Sequence, residues 1–153
     1  MANGMAMLKR EIRVRNKKKK GIYLSSVRSF LFNEVLAARI RSGLWGQSLT
    51  GDILTDEGVA TGPMWGRGRL TTTDDALALE SEIAAQHPEL CEGLEFSGLN
   101  QDRRALAAMP GNMTWSWPEE SHLLLTFSLP AGYYATSLIR ECIETTEPER
   151  YVP

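Results

Sequence analysis

The stretch Met113-Thr114-Trp115-Ser116-Trp117, the break from Pro118 to Ser121, and then Leu123-Leu124-Leu125-Thr126-Phe127-Ser128-Leu129 decide the fold class. Met113, Trp115 and Trp117 alternate with polar residues, and Leu123, Leu125, Phe127 and Leu129 recur with the same period of two. That pattern reads as a β-hairpin with one apolar face. Pro130-Ala131-Gly132 then leads into a predicted helix from about Tyr134 to Glu144, whose Ala135, Leu138, Ile139 and Cys142 form one inward stripe. A hairpin and a single helix make a poor core, because an independent sheet needs three or more strands or substantial packing elsewhere. The segment is therefore expected to want a partner surface. No internal repeat is visible, so that partner is not a second copy of the same pattern.

Upstream the signals are helical. Ser25 or Ser26 is expected to cap a helix that runs to about Ser42 and stops at Gly43, where glycine tolerates the left-handed exit. Val27, Leu31, Val35 and Ala38 form one stripe on it, and Phe32, Leu36 and Ile40 a second, so the helix is expected to lie between two layers. Gly43 to Leu70 is punctuated by glycine and proline, as in Gly51-Asp52 and Thr61-Gly62-Pro63, and reads as turns and short strands. Thr73 or Asp74 caps a second helix carrying Leu79 and Ile83. Pro88 ends it or opens the next, which leaves His87 at a helix terminus. Pro88 to Leu94 and Gln101 to Met109 are short helical candidates separated by Ser97-Gly98. The fold class is α+β, with helices first and a hairpin plus helix last.

The chain has 153 residues, of which 42% are hydrophobic, 24% charged and 8% aromatic. These proportions fit an ordinary globular domain and exclude collagen, coiled-coil and disordered readings. No stretch approaches the roughly 18 apolar residues of a membrane span, and Met1 to Leu8 is too short and too polar for a signal peptide, so a cytoplasmic location and no membrane partner are expected. Cys91 and Cys142 lie far apart without a Cys-x-x-Cys pair, and His87 and His122 have no partner at ligand spacing, so no metal site is expected. There is no Gly-x-Ser-x-Gly elbow. The glycine-rich run Gly62 to Gly68 lacks the Gly-Lys-Ser/Thr ending of a phosphate loop, and its plainer reading is a tight turn around Trp65.

The net charge of −2 conceals a polarised chain. Residues 1–20 hold Lys9, Arg10, Arg13, Arg15 and Lys17 to Lys20 against Glu11 alone. From Asp74 onward, Arg103, Arg104, Arg140 and Arg150 face fourteen acidic residues. A run of like charge is either a solvated face or a polyanion grip. The basic run with Tyr23, the arginines Arg28, Arg39 and Arg41, and the loop pair Arg67 and Arg69 make the best case for RNA contact, lysines gripping phosphate without reading sequence. Arg103 and Arg104 either extend that surface or pair with acidic neighbours.

Several ordered motifs resemble the tRNA pseudouridine synthase D (TruD) family. They are Arg15-Asn16-Lys17 through Ile22-Tyr23-Leu24-Ser25-Ser26, Ser29-Phe30-Leu31-Phe32-Asn33, Gly51-Asp52-Ile53-Leu54, the Thr61 to Gly68 loop, Arg103-Arg104-Ala105-Leu106, Trp115-Ser116-Trp117, and Leu129-Pro130-Ala131-Gly132-Tyr133-Tyr134-Ala135-Thr136 followed by Leu138-Ile139-Arg140-Glu141. The resemblance covers roughly residues 13 to 145. It implies an enzyme that converts a tRNA uridine, position 13, to pseudouridine without a cofactor. An aspartate acts there on a flipped-out nucleotide with an aromatic ring stacked on it. In the family that aspartate sits in a Gly-Thr-Lys-Asp-Lys-like motif of the N-terminal half, and an Asn-Tyr-Phe-Gly motif lies there too; this chain has neither. Asp52, Asp56, Asp74, Asp75 and Asp102 are its only aspartates. No catalytic residue is carried over.

The resemblance divides the chain into a basic N-terminal arm (1–20), a mainly helical insertion domain (21–107) and a C-terminal segment of the catalytic domain (108–153), whose hairpin and helix belong to a larger pseudouridine-synthase sheet. Tyr134, Thr136 and Arg140 are then expected to support the active site, or to pack and pair under the sheet. Family members usually have a small residue where this chain has Tyr133. Arg15, Lys17, Lys18, Lys19, Lys20, Arg28, Arg67, Arg69, Arg103 and Arg104 are the expected RNA contacts. The partners implied are tRNA and an N-terminal catalytic half in cis or in trans, without which the chain is expected to be inactive. The alternatives are a non-catalytic RNA-binding module and a truncated remnant; the start Met1-Ala2-Asn3-Gly4-Met5 does not resemble the family's beginning.

Overall fold

The computed structural model describes residues 1–144 and Thr146, so the end of the 108–153 segment, with Arg150, lies outside the described residues. A short helix α1 (Ala2–Leu8) precedes the longest element, α2 (Lys17–Arg41). The start of α2 differs from the expected Ser25 or Ser26. Asn16 sits in extended backbone and its side-chain oxygen accepts the Lys19 amide at 3.0 Å, the bond an N-cap makes. The Ser26 hydroxyl instead donates to the Tyr23 carbonyl at 2.8 Å within the helix. Lys17 to Lys20 are thus the first turn of α2.

Both apolar faces of α2 are used. Leu24, Val27 and Leu31 pack with Leu90, Cys91 and Leu94 of α4 (Pro88–Phe96), joined by Met5, Met7 and Leu8 from the N-terminal helix. Phe32 forms a second cluster with Ala60 and Leu106, against which Leu36 and Met64 pack. The second expected stripe stops early. Ile40 is exposed, while Arg39 is buried beside it.

Strand β1 (Thr61–Met64) pairs antiparallel with β2 (Asp102–Ala105), Thr61 opposite Ala105 and Met64 opposite Asp102. The helical expectation for Gln101 to Met109 is therefore wrong throughout: Asp102–Ala105 is strand and residues 106–109 are irregular. Arg103 and Ala105 alternate along a strand because β1 offers a backbone edge, and a pairing from so far away in the chain leaves no local periodic signal. The helix α3 (Asp74–Gln86) starts after Thr73, as expected, and α4 follows across His87. Between the first strand and the turn before β2, Gly66 is obligatory. A Cβ on it would stand 2.4 Å from the Asn100 carbonyl oxygen.

The chain divides at Ala107 into two units. The second holds the hairpin, β3 (Gly111–Glu119) paired antiparallel with β4 (His122–Ser128), Trp115 opposite Leu125, and then the helix α5 (Ala135–Cys142) after Tyr134. Met113, Leu123, Leu125, Phe127 and Leu129 are half-buried, whereas Trp115 is 69% and Trp117 62% exposed. Among the described residues of this unit, none is buried.

Candidate nucleic-acid interface

Charge at the start of α2 is arranged against the helix itself. A helix N-terminus carries partial positive charge from its free amides, so cations there cost stability while an anion is favoured. Yet the first turn holds Lys17 to Lys20 and no acidic residue, all four exposed. Lys19 lies 5.7 Å from the centre of the Tyr23 ring, and Arg15 is exposed just before the cap. Arg67 and Arg69 are also exposed. The Arg67 backbone is pinned, its amide donating to the Leu99 carbonyl at 2.6 Å and its carbonyl accepting from Gln101 at 2.9 Å. A fixed backbone thus presents a free guanidinium. Trp65 packs inward and donates to Glu95 at 3.2 Å, so the loop is built as a turn around it.

The remaining expected contacts are already engaged. Arg28 donates through Nη2 to the carbonyls of Met64 at 2.6 Å and Asn100 at 3.0 Å, tying α2 to both sides of the β1–β2 pair. Burial lowers its pKa from the ordinary arginine value. Arg103 donates to the Thr61 hydroxyl and carbonyl, both at 2.7 Å, and to Glu80 Oε1 at 2.7 Å. Glu80 is itself 2% exposed and also accepts from the Thr72 hydroxyl at 2.9 Å. This is the acidic-neighbour alternative for Arg103. Arg104 stacks its guanidinium 4.0 Å over the Phe32 ring. Arg39, grouped by sequence with the RNA contacts, is buried in an ion pair with Asp52, whose other oxygen accepts the Leu49 amide.

The other aspartates are placed as local structural groups or on the surface. Asp74 accepts the Thr73 hydroxyl, Asp102 accepts the Arg103 amide, and Asp56 and Asp75 are exposed. His87 meets Phe30 edge to face with centroids 5.0 Å apart, and His122 pairs with Glu119. Among the described residues, no three of His, Cys, Asp and Glu gather as metal ligands. Tyr134, Thr136 and Arg140 lie on the second unit, Tyr134 at the cap of α5 and 71% exposed, with Thr136 and Arg140 one turn apart on a shared face.

One feature escaped the sequence. A cleft of about 1000 Å³ opens between residues 7–14 and α4, with Leu24 and Phe96 among its apolar lining. Lys9 Nζ lies 2.8 Å from Glu89 Oε2 across it, a hydrogen bond and charge that raise the Lys9 pKa. The only available signal was the apolar set Met5, Met7 and Leu8, which is too short to read as a helix with a destination.

No family model matches the chain. Its relatives, however, are enzymes that modify RNA by name. The tRNA pseudouridine synthase D of Pseudoalteromonas atlantica is 37% identical over 153 residues, spanning 85% of this chain and 43% of the relative. That of Aeromonas hydrophila is 39% identical over 160 residues (90% and 45%), and that of Hydrogenovibrio crunogenus 34% over 166 (94% and 48%). The chain belongs to the tRNA pseudouridine synthase D family. It matches the C-terminal part of these curated relatives and spans a little under half their length.

Proposed function

We propose that the chain is the C-terminal portion of a tRNA pseudouridine synthase, which isomerises uridine 13 of tRNA to pseudouridine without a cofactor, and that it is inactive until joined, in cis or in trans, to an N-terminal half bearing the catalytic aspartate. Residues 21–107 act as the insertion domain, and 108–153 re-enter the catalytic domain, their hairpin and helix completing its sheet. The observation that carries this reading is the second unit: Trp115 and Trp117 stand exposed on a hairpin with no fully buried residue, in a chain under half as long as its relatives. A contiguous exposed apolar face is normally covered.

The RNA grip is assigned to Arg15, Lys17, Lys18, Lys19, Lys20, Arg67 and Arg69, whose charges are exposed. Arg28, Arg103 and Arg104 hold the surface that presents them. Tyr134, Thr136 and Arg140 support the active site once the sheet is complete. The test is pseudouridine formation on unmodified tRNA, first by this chain and then with the N-terminal half of a relative added. Activity only in the mixture is expected; activity of the chain alone overturns the assignment and directs attention to Asp56 and Asp75, the two exposed aspartates outside hydrogen bonds. A stand-alone RNA-binding module is the second reading, favoured by a first unit that buries its own core and carries these free cations.

A further inference from the structure

The cleft beside α4 has walls of opposite charge. Lys9, Arg10, Arg13 and Lys20 line one side, with Glu11 among them, and Glu89 and Glu92 line the other. Glu89 and Glu92 are three residues apart on α4, which places them on one face with Cβ atoms about 5–6 Å apart. The basic wall is fixed by main chain. Arg10 takes a left-handed φ of +62° at the exit of α1, its amide donating to the Met7 carbonyl at 3.2 Å. The Glu11 and Ile12 amides both donate to the Ala6 carbonyl, at 2.9 and 3.3 Å. The short helix is seated in turn by close approach. A Cβ on Gly4 would meet the Tyr23 carbonyl oxygen at 2.8 Å, and one on Gly93 would meet Leu8 Cβ at 3.0 Å.

The short helix therefore sets Lys9 against Glu89, with Arg10, Arg13 and Lys20 on the same side of the cleft. The one ion pair formed, Lys9 with Glu89, is half exposed and so weak enough to exchange. Resting on the reading of the basic run as an RNA grip, we infer that Glu89 is an autoinhibitory contact, with Glu92 adding negative charge on the same wall. Glu89 occupies Lys9 in place of phosphate, and tRNA must displace it to engage the Lys9 end of the basic run.

The test is binding of an unmodified tRNA transcript to the full chain by fluorescence anisotropy, for wild type, E89Q, E89Q/E92Q and the control E82Q, an exposed acid of α3 outside the cleft. At low salt E89Q is expected to bind about threefold and the double variant about tenfold more tightly, with the gain lost at high salt. Trypsin should also cut after Lys9, Arg10 and Arg13 sooner in the double variant. Equal gains in E82Q, or tighter binding in none, with wild type still binding, overturn the inference alone. Failure of every protein to bind tRNA overturns the RNA reading and the inference together.

Discussion

The two units of this chain spend similar side chains differently. In residues 1–107, Leu24, Val27, Leu31, Phe32, Leu90 and Leu94 are nearly or wholly removed from water, and the charged groups that follow them inside, Arg39 with Asp52 and Arg103 with Glu80, are paired. From Ala108 onward, Trp115, Trp117, Leu124 and Tyr134 stay exposed although the strands and the helix around them are formed. Local periodicity is enough to set a hairpin and a helix, but only a second layer buries their faces. Secondary structure and core are separate achievements, and among its described residues the second unit has only the first.

The sharpest way to break the comparison is thiol chemistry, since each unit holds one cysteine. Burial pushes the Cys91 thiol up to about 12, with the Glu95 charge adding to it, while Cys142 is exposed on α5. At pH 8 a thiol of that pKa is roughly one part in ten thousand thiolate. Iodoacetamide should therefore label exposed Cys142 at least ~100-fold faster than buried Cys91, and denaturant should abolish the difference. Comparable rates in the native chain would mean that α4 does not hold its place.

Glu80→Ala comes next. It leaves Arg103 half-paired between β1 and α3 and is expected to cost about 3–5 kcal/mol in urea unfolding of the first unit. Gly66→Ala should cost about 1–3 kcal/mol, because the Asn100 backbone has to move. Trp115→Ala is the contrast: in the chain alone it should change stability by less than about 0.5 kcal/mol, as a surface substitution does. A loss of 2 kcal/mol or more there would show a covered tryptophan and remove the distinction between the units.

What was legible in the sequence follows the range of each interaction. The hairpin, the terminus at His87 and the two-sided character of α2 are written in spacings of two to eight residues, and they stand. Two serines resemble a cap for α2, while the true cap, Asn16, lies ahead of a lysine run whose charges oppose a helix start. β2 carries no strand signal because its partner lies about forty residues upstream, a pairing no local window contains. Separations of 42 and 23 residues likewise hide the binding of Arg103 by Thr61 and Glu80. Charge counting found Arg39 but not its burial, since guanidinium groups inside and outside look alike until Asp52 folds onto them.

The second unit is folded in outline and uncovered. Amide hydrogen exchange over residues 110–144, in the chain alone and after mixing with the N-terminal half of the Aeromonas hydrophila relative, tests that most directly. The expected result is little protection alone, well below that of α2, and strong protection of β3, β4 and α5 in the mixture. Protection equal to that of α2 in the chain alone, or no change on mixing, would contradict it.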